Sequence, residues 1–118
     1  MKRGGDQIIK DRDYFVVQSF MIKDLKLSGN NMIIYAIIYR YCQMEGQYFN
    51  ESLSYLAELA NCSKPTVIKS LKKLIELGYI AKREFYENNI KYCKYSCVPL
   101  EEIKAKKLEN ETWRGIRR

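Results

Sequence analysis

The chain has 118 residues, of which 47% are hydrophobic and 30% charged, and it carries a formal net charge of +7. That length supports about one folded unit around a single core, and the composition excludes a disordered chain. The charge is uneven, with residues 1–62 neutral, 63–99 at +5 and 100–118 at +2, which points to one basic face and a polyanionic partner, nucleic acid before an anionic membrane surface.

Residues 1–13 read as a loose, charged lead. Tyr14–Ile22, YFVVQSFMI, is apolar and β-prone, and predicts either a short strand or an extended segment lying on the core. Ser28 is a good N-cap and Gly46 a good stop, so a first helix is expected from Gly29 to Met44. From Met32 to Cys42 only Arg40 is fully polar. Such a helix is central in the core or shared with a second subunit, and a homodimer through helix 29–44 and the C-terminal segment is expected. Gln47, Tyr48 and Phe49 suit a brief strand.

A second helix is predicted over Leu53–Ala60, capped by Ser52 or Asn50, with Leu53, Leu56, Ala57 and Ala60 forming one apolar face. Asn61 and Cys62 make a tight turn. Ser63 caps a third helix from Lys64 to Leu77, with Pro65 in its first turn, where a missing N–H costs nothing, and Gly78 ends it. The β-prone runs YIAKREFY and IKYCKYSCV then flank Asn88 and Asn89, residues that tolerate positive φ, so a hairpin turns there. That pairing sets Glu87 against Ile90, Phe85 against Tyr92 and Arg83 against Lys94, with Ile80, Cys93, Tyr95 and Cys97 facing inward near the base. Residues 99–118 form either a short helix packed on the first helix or a frayed basic tail.

Two short helices joined by a tight turn and followed by a hairpin make a winged helix-turn-helix over residues 14–98, an α+β fold that is mainly α with three core helices and a small β-hairpin. On a helical wheel of the third helix, Val67, Leu71, Leu74 and Ile75 form the buried stripe. Lys69, Lys72 and Lys73 share the outward face with Glu76 as its one acid, and Lys64 sits at the N-terminal edge. A helix laid in the major groove must be narrow, polar outward and flanked by charges that offset phosphate repulsion. Ser63, Lys64 and Thr66 are therefore candidates for base-edge or nearby phosphate contacts, Lys69 for reading deeper in the groove, and Lys72 and Lys73 for phosphate contacts. In the wing, Lys82, Arg83, Lys91 and Lys94 are the candidate DNA contacts. Arg83 opposite Lys94 places like charges together, which is more favourable with a phosphate nearby.

Other chemistry finds little support. The chain has no histidine, no GxxxxGK[ST] or GxGxxG loop and no nucleophile with an identifiable base, so no enzymatic activity and no cofactor are expected. Cys42, Cys62, Cys93 and Cys97 are expected to be free, small buried side chains, and CxxxC spacing without histidine predicts no metal site. The N-terminus shows no export signal, and the apolar run Met32–Cys42 would span only about 16 Å as a helix. A cytoplasmic location and no membrane span are expected.

The order FVVQSFMIKDLKLSGNNMIIYAII followed by YFNESLSYLAELANCSKPTVIKSLKKLIELGYIAK resembles the winged helix-turn-helix domains of phages, plasmids and low-GC Gram-positive bacteria. These include the N-terminal domains of replication initiators and many small regulators, with a more distant similarity to the MarR group. The most specific part runs from Leu53 to Ile80. The resemblance implies double-stranded DNA binding by the third helix and wing, and a small transcriptional regulator of phage or mobile-element type. Because about twenty residues follow the wing, an initiator is expected less than a regulator or a replication-initiation accessory factor. A winged domain serving purely as a protein-binding module is the rival of another class.

Overall fold

The computed structural model describes residues 15–43 and 48–116, with side chains through residue 109. The expected lead 1–13, Tyr14, the stop at Gly46, Met44 and Gln47 lie outside the described residues. Among those described are five helices, α1 (Ser19–Lys23), α2 (Gly29–Cys42), α3 (Leu53–Ala60), α4 (Lys64–Glu76) and α5 (Leu100–Ile116), and an antiparallel hairpin of β1 (Ile80–Glu87) and β2 (Ile90–Cys97). This is an α+β fold consistent with a winged helix-turn-helix.

The apolar helix α2 is the centre of the core. Ile34, Tyr35, Ala36, Ile37 and Ile38 are all buried by the chain's own elements, with α4, α3, α1 and β2 packed around them. Of the two alternatives that its apolar character allowed, a helix central in the core or one shared with a second subunit, the burial of Ile34–Ile38 within the single chain fits the first. The cover comes from segments whose contribution sequence periodicity does not register: Met21 and Leu25 of the α1 region, Phe49, and Tyr95 of the hairpin are all buried. Burying each large apolar side chain contributes about 1.5–3 kcal/mol.

The Tyr14–Ile22 stretch departs from its expected form. Residues 15–18 have no regular secondary structure, with Gln18 in an extended conformation, and Ser19–Lys23 is helical. Among the described residues no neighbouring strand offers its backbone a ladder, whereas one helical turn puts Met21 and Leu25 on the same side, over α2. Packing overrides the β propensity of the sequence.

The helix-turn-helix follows local chemistry closely. The Ser52 hydroxyl accepts from the Tyr55 N–H at 3.0 Å and starts α3. Asn61 takes the left-handed conformation (φ 54°, ψ 50°), and the Cys62 N–H returns to the Ala57 carbonyl at 3.0 Å, closing α3 as expected of an Asn in this position. Ser63 then caps α4, accepting from the Thr66 N–H at 3.3 Å. Leu56, Ala57, Val67, Leu71 and Leu74 fill the space between the helices. Gly78, at φ +80°, lets the Tyr79 N–H reach back to Leu74 and redirects the chain into β1.

The hairpin has the expected register, from Ile80 opposite Cys97 to Glu87 opposite Ile90, and Asn88 and Asn89 both have positive φ, as a two-residue turn of this kind requires. Ile80 and Tyr95 are buried at its base; Cys93 and Cys97 are only half-buried. Phe49 adds a single bridge, exchanging backbone hydrogen bonds of 2.7 and 2.9 Å with Tyr95, in place of the brief strand expected over Gln47–Phe49. The C-terminal segment is a helix. It docks through buried Ile103 and through Lys107, whose ammonium donates to the Asp24 carbonyl (3.2 Å) and to the Tyr79 hydroxyl (3.1 Å), while Tyr79 itself donates to the Leu25 carbonyl (3.0 Å). The partner of this helix is thus the α1–α2 connection and Tyr79.

Candidate nucleic-acid interface

The face of α4 opposite its buried stripe carries Lys69, Lys72 and Lys73, with Lys64 at the N-terminal edge of the helix, and all four are exposed. None of the four has an ion-pair partner among the described residues. Val67, Leu71 and Leu74 fix the helix rotation by burial, so the lysines are held outward by the core. At the N-terminal end, Ser63 Oγ and Thr66 Oγ1 lie 2.9 Å apart and hydrogen-bond each other. Their hydroxyls hold the cap, and both keep further hydrogen-bonding capacity for a ligand.

The hairpin is different, although it also contributes four basic residues. On one face, Lys82 and Lys91 both pair with Glu84, at 3.3 and 3.2 Å. These bonds, the Lys91 one first, hold the Glu84 carboxyl below its ordinary range. On the other face, Lys94 lies over the ring of Tyr48 at 4.4 Å and over that of Phe85 at 4.8 Å, and Phe85 in turn stacks on Tyr92 at 5.4 Å. The like-charge pair of Arg83 and Lys94 is therefore relieved within the protein by aromatic faces. Arg83 is exposed and has no partner among the described residues.

The structure brings together residues that the sequence patterns leave apart. Ser28, Asn30 and Asn31, at the start of α2, share a groove of about 540 Å³ with Thr66, Lys69, Ser70 and Lys73. Ser28 was expected to cap the helix, yet its side chain makes no cap hydrogen bond, and Asn30 and Asn31 had no assigned role. An available signal was the polarity of SGNN at the head of an otherwise apolar helix. Ser70 is buried to 4% exposure, a position that the wheel places between the stripe and the outward face.

The remaining chemistry is structural. Cys42, Cys62, Cys93 and Cys97 are free thiols, each half-buried, short of the full burial expected. Hydrogen bonding to Cys97 lowers the Cys42 thiol against the opposing effect of its burial, while the hydrogen bond to Cys42, together with burial, pushes the Cys97 thiol up. Burial raises the Tyr35 hydroxyl well above its usual range. No group of side chains suited to a metal ion occurs among the described residues, and no described helix is long and apolar enough to cross a membrane.

Known proteins offer two likenesses to this arrangement. Residues 25–80 match the helix-turn-helix domain family. That span takes in α2, α3, the Asn61 turn, α4 and the first residue of the hairpin, and supports a helix-turn-helix DNA-binding domain. The solved structure of a possible transcriptional regulator from Methanosarcina mazei Go1 shares the fold at a TM-score of 0.52 and 11% identity, over 89% of this chain and 96% of that one. No curated protein matches the sequence.

Proposed function

We propose that this chain binds double-stranded DNA, with α4 in the major groove and the hairpin beside the flanking backbone, as a small transcriptional regulator of phage or mobile-element type. The observation that carries the reading is the unpaired lysine face of α4, held outward by a helix-turn-helix core. Four ammonium groups without partners among the described residues are free to displace the counterions condensed on a duplex. Ser63, Lys64 and Thr66 sit at the end of the helix that reaches the base edges first, Lys69 follows, and Lys72 and Lys73 flank the strands. Arg83 is the foremost wing contact; Lys82, Lys91 and Lys94 contribute less because each already has a partner. The role in transcription is favoured by the fold shared with the Methanosarcina protein, and the phage or mobile-element setting by the sequence resemblance.

Fluorescent duplex titrated at several salt concentrations tests the reading. With about five phosphates neutralised per subunit, log K falls with log salt at a slope near −4 to −5; absence of binding at low salt, or a flat response, rejects it. Selection from a random duplex pool supplies the target, and recovery of an origin-like iteron array in place of a palindrome would favour a replication-initiation accessory factor on the same surface.

The domain reading places the winged unit at residues 14–98, with α5 as an appended helix. The homodimer proposal now rests on α5, whose Leu108 is 64% exposed, more than on the covered helix α2. Light scattering at micromolar concentration gives the mass of two chains if it holds, and of one chain if it does not. One observation favours a protein-binding module: the hairpin tip exposes Tyr86 (70%) and Ile90 (54%). That reading gains if Lys69→Glu and Arg83→Glu leave duplex binding unchanged.

A further inference from the structure

The groove between the head of α2 and the flank of α4 has features that the recognition-helix reading does not use. Helix α2 is 14 residues long and has no acid in its first turn, and its Ser28 side chain leaves the N-terminus uncapped. The Met32 N–H returns to the Ser28 carbonyl at 3.3 Å, but the N–H groups before it belong to the first turn, where a helix has no partners of its own. These donors and the positive end of the helix dipole therefore face outward. Across the groove lie Lys69 and Lys73, one turn apart on α4 and unpaired among the described residues. Among the described residues no Asp or Glu lines the groove.

Ser70 supplies a second and independent sign. It lines the same groove, is 4% exposed, and its hydroxyl has no hydrogen-bond partner among the described residues. A buried hydroxyl left unmade costs about 1–3 kcal/mol, and such groups are rare in native proteins. An acceptor oxygen seated in the groove would satisfy it. Two lysines, a helix N-terminus, two amide side chains and a buried hydroxyl line one groove, a set of donors that suits a tetrahedral oxyanion.

We infer that this groove seats one backbone phosphodiester of the duplex, so that Asn30, Asn31, Lys69, Ser70 and Lys73 clamp the strand beside the major groove that α4 enters. The inference rests on the DNA-binding reading. Its source is fixed by position: Lys69 and Lys73 belong to the helix that lies in the major groove, so a strand flanking that helix brings a phosphate to this side of it. The clamp also sets register, because it ties the central core helix to the same strand that the recognition helix borders.

Replacing Asn30→Asp together with Asn31→Asp separates a phosphate seat from a structural role. Acidic side chains in the first turn favour a helix N-terminus, so thermal stability should hold or rise. Phosphate, by contrast, is repelled. Duplex affinity should fall at least tenfold at low salt, and the salt slope should become shallower by about 1. If the double variant binds duplex like the parent while Lys69→Glu abolishes binding, the clamp is overturned and the DNA reading survives. If the parent binds no duplex, both fall together. Inorganic phosphate separates the sources: saturable shifts of the Asn30 and Asn31 amide resonances at micromolar phosphate, with duplex affinity indifferent to the double variant, would assign the groove to a free anion and overturn the inference.

Discussion

Helix α4 and the hairpin contribute the same number of basic candidates, four each, and the fold treats them in opposite ways. Lys64, Lys69, Lys72 and Lys73 stand on a helix locked by Val67, Leu71 and Leu74, with nothing on the described protein to neutralise them. In the hairpin, Glu84 takes two lysines and the rings of Tyr48 and Phe85 take a third, leaving Arg83. Counting positive charges therefore overstates the wing. A cation already engaged by protein must exchange that engagement for a phosphate, and the net gain is the difference between the two.

The sharpest way to break this contrast is charge reversal on α4. On the DNA-binding reading, Lys69→Glu removes a charge-assisted hydrogen bond to the duplex, worth about 1.5–3 kcal/mol, and adds repulsion, so duplex affinity should fall about tenfold to a hundredfold or more. Circular dichroism should be unchanged, because Lys69 is exposed. Equal binding by parent and variant would remove α4 as the reading element. Arg83→Glu is expected to come next, at about tenfold, being the one wing cation without a protein partner among the described residues. Should it have no effect while Lys82→Glu does, the ranking within the wing is wrong.

Glu84→Gln should act in the other direction. Removing the carboxylate releases Lys82 and Lys91 and takes a negative charge away from the strand, so affinity should rise about twofold to fivefold with a steeper salt slope. The same logic gives a pH dependence. Lys91 and Lys82 depress the Glu84 carboxyl, so its ion pairs are fully present above the ordinary glutamate value and are lost as pH falls through the depressed one. Protonation then frees both lysines, and duplex binding should strengthen on acidification in the parent but not in Glu84→Gln. Anisotropy titrations across an acidic pH series compare the two; a parallel rise in both proteins would place the effect elsewhere.

How much of this contrast the sequence carried depends on the range of the interaction. The α3–turn–α4 unit and the hairpin register are set by caps, by Asn61, Gly78, Asn88 and Asn89, and by periodicity, all within a few residues of where they act. Those features read directly. The α1 helix did not, because its form is decided by Met21 and Leu25 finding α2, not by the β-prone residues around them. The groove at Asn30 and Asn31 joins positions about forty residues apart, and no single-sequence pattern states that they meet. The partner of Lys94 is Tyr48, equally remote, so the sequence showed a cation beside Arg83 but not the ring that quiets it.

Lys94 therefore gives the most discriminating test, although its effect is the smallest. If Lys94 is chiefly a lid over Tyr48 and Phe85, Lys94→Met keeps the aliphatic stem on the rings and loses only the cation–π attraction, about 0.5–1 kcal/mol. Chemical denaturation should register a loss of that size. Duplex affinity should stay within about twofold, since the displaced charge was already engaged. A counter-result is easily recognised: a tenfold loss of affinity with unchanged stability would show that the ammonium leaves its rings for a phosphate, and the wing would then match α4 in kind. The aromatic cover that relieves Arg83 and Lys94 in the free protein would become a resting place from which DNA withdraws one of its contacts.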